Sequence, residues 1–156
     1  MIILGFFEND FVRQILKTLG FHSAFTLYAL EASKNFVRQN QFVYELAQNT
    51  CGYGKLVSLY ILEPVRANQR KWMFEQGAIN QIAPNLSAIM CIEKPDMAAF
   101  YRSLSLTEET FYNLSYLLAY ASEDINIKEF SQSLMMVEKY IKVADKYAKS
   151  FIDLAA

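Results

Sequence analysis

The sequence predicts an all-α fold, a short α-solenoid of antiparallel helix hairpins closed by a long C-terminal helix. Three observations predict it. Residues 20–32, GFHSAFTLYALEA, recur 32 positions later as GYGKLVSLYILEP, residues 52–64, with Gly20/Gly52, Leu27/Leu59, Tyr28/Tyr60, Leu30/Leu62 and Glu31/Glu63 identical. A repeat of that period, opening at a glycine and running into an apolar helical pattern, is the mark of stacked helix-turn-helix units. The five glycines and three prolines fall almost entirely between periodic segments, so they punctuate helices rather than dilute them. From Phe130 to Phe151, apolar residues recur at alternating four- and three-residue steps, the spacing of a helical seam.

Taken in order, Asn9 and Asp10 can cap a first helix carrying Phe11, Val12, Ile15, Leu16 and Leu19, which stops at Gly20. Ser23 then caps a second helix through about Phe36, so the first hairpin covers about 9–36. The second, about 41–63, runs through Phe42, Val43, Leu46 and Ala47, turns at Gly52 and Gly54, continues from Lys55 to Leu62 and ends before Pro64. The third, about 67–93, has a helix stopped by Gly77 and another opened by Asn80 or the Pro84 region. The fourth, about 95–121, starts with Pro95 in a first helical turn and resumes after a capping-box pattern of Ser105 and Glu108. The last helix, about 127–154, turns Phe130, Leu134, Val137, Ile141, Ala144, Ala148 and Phe151 to one side, with Lys139, Lys142, Lys146 and Lys149 opposite. Its expected role is to cover the apolar face of the last hairpin. The other reading pairs the seam with a second copy; a monomer is favoured over that homodimer, because the array needs a cap in either state.

At 156 residues and 53% hydrophobic content the chain fits a single helical repeat domain, 1–156, with a core that needs no metal or disulfide. Lysine plus arginine (15) nearly balance aspartate plus glutamate (16), for a net charge of −1. That gives no long-range attraction for nucleic acid or anionic lipid, so a nucleic-acid partner is not expected without a segregated basic face. Cys51 and Cys91 match no zinc or redox spacing and are read as buried reduced thiols. MIILGFF lacks a basic lead-in and runs into Glu8, Asn9 and Asp10, and no apolar run approaches the roughly 20 residues of a bilayer span. A cytoplasmic protein with no membrane partner is the expectation.

The search for chemistry returns structural readings. His22, the one histidine, precedes a helix, where imidazoles satisfy local backbone groups, and has no second histidine, cysteine or carboxylate beside it in sequence. GYGK at 52–55 lacks the upstream glycine of a phosphate-binding loop and has Leu56 where a hydroxyl would hold magnesium. Lys55 near a helix start does set a cation beside free amides, an arrangement that suits an anionic group. Glu108 and Glu109 fall in one first helical turn, where they complement the helix dipole instead of opposing each other across a site. No catalytic residue, metal site or cofactor is assigned.

The stretches LGFHSAFT (19–26), GYGKLVSLYILEP (52–64) and WMFEQGAIN (72–80) resemble a group of bacterial HEAT-repeat-like proteins of unassigned function. Gly20, His22, Phe25, Thr26, Gly52, Gly54, Lys55, Leu62, Glu63, Pro64, Trp72, Gly77 and Asn80 carry the likeness, over about residues 10–130. The chain departs from that pattern at Ser23 and Ala24, where the group has Pro-Glu, at Tyr53 for Trp and at Ala78 for Cys, and it lacks the group's Asp-Glu-Gly-Pro turn near Ala119–Ser122. The resemblance implies a HEAT/armadillo-like superhelix and points to no known reaction.

These readings converge on a non-enzymatic module that binds a protein or peptide partner on the solenoid surface. Tyr53, Lys55, Arg70, Trp72 and Asn80, all at expected hairpin ends, are the predicted binding residues; exposed aromatic and arginine side chains are typical interface anchors. A narrower version is an immunity or antitoxin-like protein. Two other classes make distinct demands: a HEAT-like nucleic-acid binder needs a basic concave face with an aromatic and an acidic residue, and a small-molecule enzyme needs a pocket where polar groups converge.

Overall fold

The structure is a computed structural model that describes residues 1–105, 107–123 and 131–148. Every regular element among them is helical: α1 (Asp10–Gly20), α2 (Ser23–Ala32), α3 (Gln39–Asn49), α4 (Gly52–Ile61), α5 (Ala67–Trp72), α6 (Pro84–Glu93), α7 (Met97–Ser103), α8 (Glu108–Ala121) and α9 (Ser131–Tyr147). Short 3-10 segments at Ile2–Phe6 and Ser33–Asn35 and a π-turn at Met73–Gly77 complete the set. The chain divides into two compact units. One is Met1–Glu63 with Asn80–Ala83; the other is Pro64–Ile79 with the described residues from Pro84 onward.

In the first unit α1 starts where Asn9 Oδ1 accepts the Val12 amide at 2.9 Å, a side-chain cap for one of the donors that a helix start leaves unpaired. α2 starts one residue earlier in role than expected. His22 is its cap, with Nδ1 accepting from the Ala24 amide, and Ser23 is already helical. α1 packs on α2, α3 on α4, and α2 on α4, so the two echoed segments become neighbouring helices. Leu16, Ala29, Leu30, Phe42, Leu46, Ala47, Leu59 and Leu62 are buried. Asn40 closes the C-terminal end of α4, its Nδ2 donating to the Glu63 carbonyl and its Oδ1 accepting the Glu63 amide.

In the second unit α6 packs on α8 and α7, and α8 packs on α9. Thr107, with Thr110, forms the capping box of α8, displacing the expected Ser105–Glu108 pair by two residues because the threonine hydroxyls exchange bonds with each other's backbone amides. Tyr101 is buried, and its hydroxyl donates to the Cys91 carbonyl at 2.8 Å. Pro95, four residues after Cys91, has no N–H to offer that carbonyl. Burial pushes the Tyr101 hydroxyl's pKa well above its ordinary value, so it stays a donor.

The expected C-terminal helix, about 127–154, is described over Ser131–Tyr147; Lys128, Phe130, Lys149 and Phe151 lie outside the described residues. α9 does turn an apolar face inward, one that keeps Ala144 of the expected seam but not Leu134, Val137 or Ile141. Met136, Tyr140 and Ala144, four residues apart, are buried, while Leu134 and Ile141 are 54% and 65% exposed and Val137 also faces solvent. The rotation follows the aromatic contact: the Tyr140 ring stacks on Phe111 of α8 at 5.1 Å and 6°, which selects the Met136–Tyr140–Ala144 stripe for the interior. Lys139 Nζ donates to the carbonyls of Tyr101 and Arg102 at the end of α7, where a cation meets the last carbonyls of a helix. Burial lowers the Lys139 pKa.

Candidate functional site

The predicted binding residues fall into two sets. Tyr53, Lys55 and Asn80 belong to the first unit and meet around the start of α4. Gly52 opens that helix with φ +59°, a backbone region costly for any side chain. The Asn80 side chain fastens it: Oδ1 accepts the Gly52 amide at 2.8 Å, and Nδ2 donates to the carbonyls of Gly52 (3.1 Å) and Ile82 (2.9 Å). Asn80 therefore fills a position at the helix start that an anion would otherwise take. Lys55 is 8% exposed, and Tyr53 stands out from the surface. Of these three, Tyr53 has the exposed side chain.

Arg70 and Trp72 lie on α5 in the second unit. Arg70 Nη1 donates to the carbonyls of Pro64 (3.0 Å) and Val65 (2.8 Å), which holds the guanidinium against the chain that leads into α5. The same side chain, with Lys71, lines a cleft of about 590 Å³ whose other walls include Pro95, Asp96, Phe100 and Ser103. Trp72 is half-buried and does not line this cleft.

Three features were not singled out in the sequence. Met1, Ile2, Ile3, Phe25 and Tyr28 line an apolar groove of about 370 Å³ in the first unit. In the 3-10 segment Phe6 stands three residues from Ile3, where side chains eclipse along one face, and both are more than two-thirds exposed. A polar cleft in the same unit gathers Glu8, Asp10, Arg13, Arg38 and Glu45. Glu8 pairs with Arg13 and accepts the Val37 amide at 3.0 Å, and Lys17 Nζ sits 2.7 Å from Glu45 Oε2. Partial burial raises the Glu45 pKa, but hydrogen bonds from Lys17 and Gln41 and the nearby Lys17 and Arg13 charges outweigh it and hold the carboxyl below its ordinary value. In the second unit, a pocket of about 250 Å³ is lined by Phe74, Glu75, Ile79, Tyr112, Asn113 and Tyr116, among others. Ile2 and Ile3 of that first groove were legible as apolar residues; their failure to enter the core was not.

His22 caps α2 and its ring lies 5.6 Å from that of Phe25. Glu108 and Glu109 occupy the first turn of α8, as their spacing predicts. Cys91 is buried, but Cys51 is exposed, because it occupies the extended N-cap position of α4, outside the packed face. Among the described residues, no group of three histidine, cysteine, aspartate or glutamate side chains is placed to hold a metal ion, and no helix is long and apolar enough to cross a membrane. Comparison with protein-family models, curated proteins and solved structures finds no match.

Proposed function

We propose that the chain is a non-enzymatic interaction module, a short HEAT-like α-solenoid that binds a protein partner on its helical surface. The solenoid reading is supported by the first unit, where consecutive helix pairs lay their second helices, α2 and α4, side by side in the manner of stacked repeats. The observation that carries the binding reading is the apolar surface formed by Ile2, Ile3, Phe6, Phe25 and Tyr28. These side chains are 45–75% exposed, and at roughly 150–250 Å² per large side chain they present on the order of 500 Å² to water. A surface of that extent lies near the upper end for a monomer and usually marks an interaction site. Tyr53, and Arg70 in the wall of the second unit's cleft, add anchors of the kind that dominate protein interfaces.

The test replaces Tyr28 by a photoreactive phenylalanine and irradiates the native host cells. A discrete protein adduct is expected that Ile3→Asp and Phe6→Asp abolish while leaving the melting temperature unchanged, since both side chains point outward. An adduct indifferent to both substitutions, or none, overturns the assignment of this surface.

A further inference from the structure

The second unit carries a pocket of a different kind. Tyr112 and Tyr116 are one helical turn apart on α8 and so share a face; both rings are more than one-third exposed. Opposite them stand Ile79 and the π-turn Met73–Gly77, which supplies Phe74 and Glu75. A π-turn widens the backbone and is frequent at functional sites. Glu75 is the one carboxylate among the lining residues, and none of the others is basic. Its carboxylate meets Lys71 at 3.6 Å, and that lysine is 69% exposed, a loose surface pair of little energetic weight. Tyr116 is also hydrogen-bonded to Tyr120, and burial together with that partner pushes its pKa up to about 12, so it remains an uncharged phenol at physiological pH.

We propose that this pocket receives a cationic side chain, lysine or arginine, from a protein partner. Charge complementarity sets the choice. Tyrosine faces present negative quadrupole density to a cation, and the carboxylate adds a full charge at one wall. At about 250 Å³ the space is below the range of drug-sized ligand sites and suits one side-chain head group. The incoming cation exchanges with Lys71 for Glu75, so the site is not closed by its own ion pair. The inference uses residues separate from the apolar surface on Ile2, Ile3 and Phe6, and either can fail alone.

The experiment titrates the full chain with N-acetyl-lysine methylamide and N-acetyl-arginine methylamide, against the uncharged norleucine and citrulline analogues, and follows tyrosine-selective NMR signals. One or both cationic probes should shift the Tyr112 and Tyr116 resonances saturably, with the uncharged analogues at least roughly threefold weaker. Glu75→Gln, which keeps the side-chain shape, should weaken the cationic probes by a similar factor and leave the uncharged ones unchanged; Tyr112→Leu should weaken them as well. Equal binding of charged and uncharged probes, shifts confined to other tyrosines, or indifference to Glu75→Gln overturns the proposal. The lysine and arginine arms decide which head group the pocket prefers.

Discussion

A Cβ built on Gly54 would stand 2.6 Å from Thr26 Oγ1, so the two echoed helices meet where one has no side chain and the other a buried hydroxyl. Thr26 donates that hydroxyl to the Gly20 carbonyl at 2.8 Å, bracing the turn between α1 and α2. Its counterpart in the echo, Ser58, is also buried and bonds back to the Gly54 carbonyl at 2.8 Å. The repeat thus reappears in space as two hydroxyl-braced helices in close approach.

Gly54→Ala should destabilise the chain by about 1–3 kcal/mol, the range for overpacking, seen as a melting temperature lower by several degrees. Ser23 Cα and Thr50 Cβ also crowd the new methyl, at 3.1 and 3.3 Å, so Thr26→Ala in the same chain should recover only part of the loss. A double-mutant cycle with no coupling would contradict this account of the contact.

Asn80→Ala should remove three hydrogen bonds around Gly52 and cost about 1–3 kcal/mol. The loss should appear as faster amide exchange at Gly52 and in the first turn of α4. An Asn80 that serves only as a surface contact would leave that exchange unchanged.

The Lys17–Glu45 pair predicts a pH dependence with a definite sign. Glu45 is held below its ordinary value in the folded chain, so its contribution is present above the unfolded carboxylate pKa, about 4.3, and fades as pH falls through the lower folded value. Lys17→Met should therefore flatten the acid side of the stability profile below about pH 5. Both side chains are one-third exposed, so the effect should be about 0.2–1 kcal/mol and shrink in high salt. A steeper acid limb in Lys17→Met would reverse the sign and refute the pairing.

The helical elements were legible because their stops are local. Gly20, Pro64, Gly77 and Pro95 each end or begin an element within a few residues of expectation, and the periodic apolar residues between them needed no tertiary information. The roles of Asn80 and Lys55 were not legible. Which way Asn80 faces depends on a residue 28 positions away, and a lysine's burial depends on the neighbours its stem finds. The echo also aligned Gly52 with Gly20 although Gly20 ends α1 and Gly52 begins α4, so identical residues marked opposite helix ends.

The same distinction governs α9, where sequence spacing chose one stripe and packing another. Val137 and Ile141 repeat at seam intervals, yet Met136 and Tyr140 are the residues in the interior. Val137→Glu and Ile141→Glu should therefore leave a folded chain, with stability changed by no more than about 0.5 kcal/mol each. Met136→Glu should instead remove several kcal/mol, because it buries an unpaired carboxylate beside α8. Tyr140 adds a sharper test. Its ring stacks on Phe111, but its buried hydroxyl has no hydrogen-bond partner among the described residues. Tyr140→Phe keeps the stacked ring and removes the unpaired group, so it should raise stability, by up to about 1 kcal/mol. A loss of that size on Tyr140→Phe would mean that the hydroxyl is satisfied in solution and that α9 sits differently on α8; thermal denaturation of the two proteins side by side decides it.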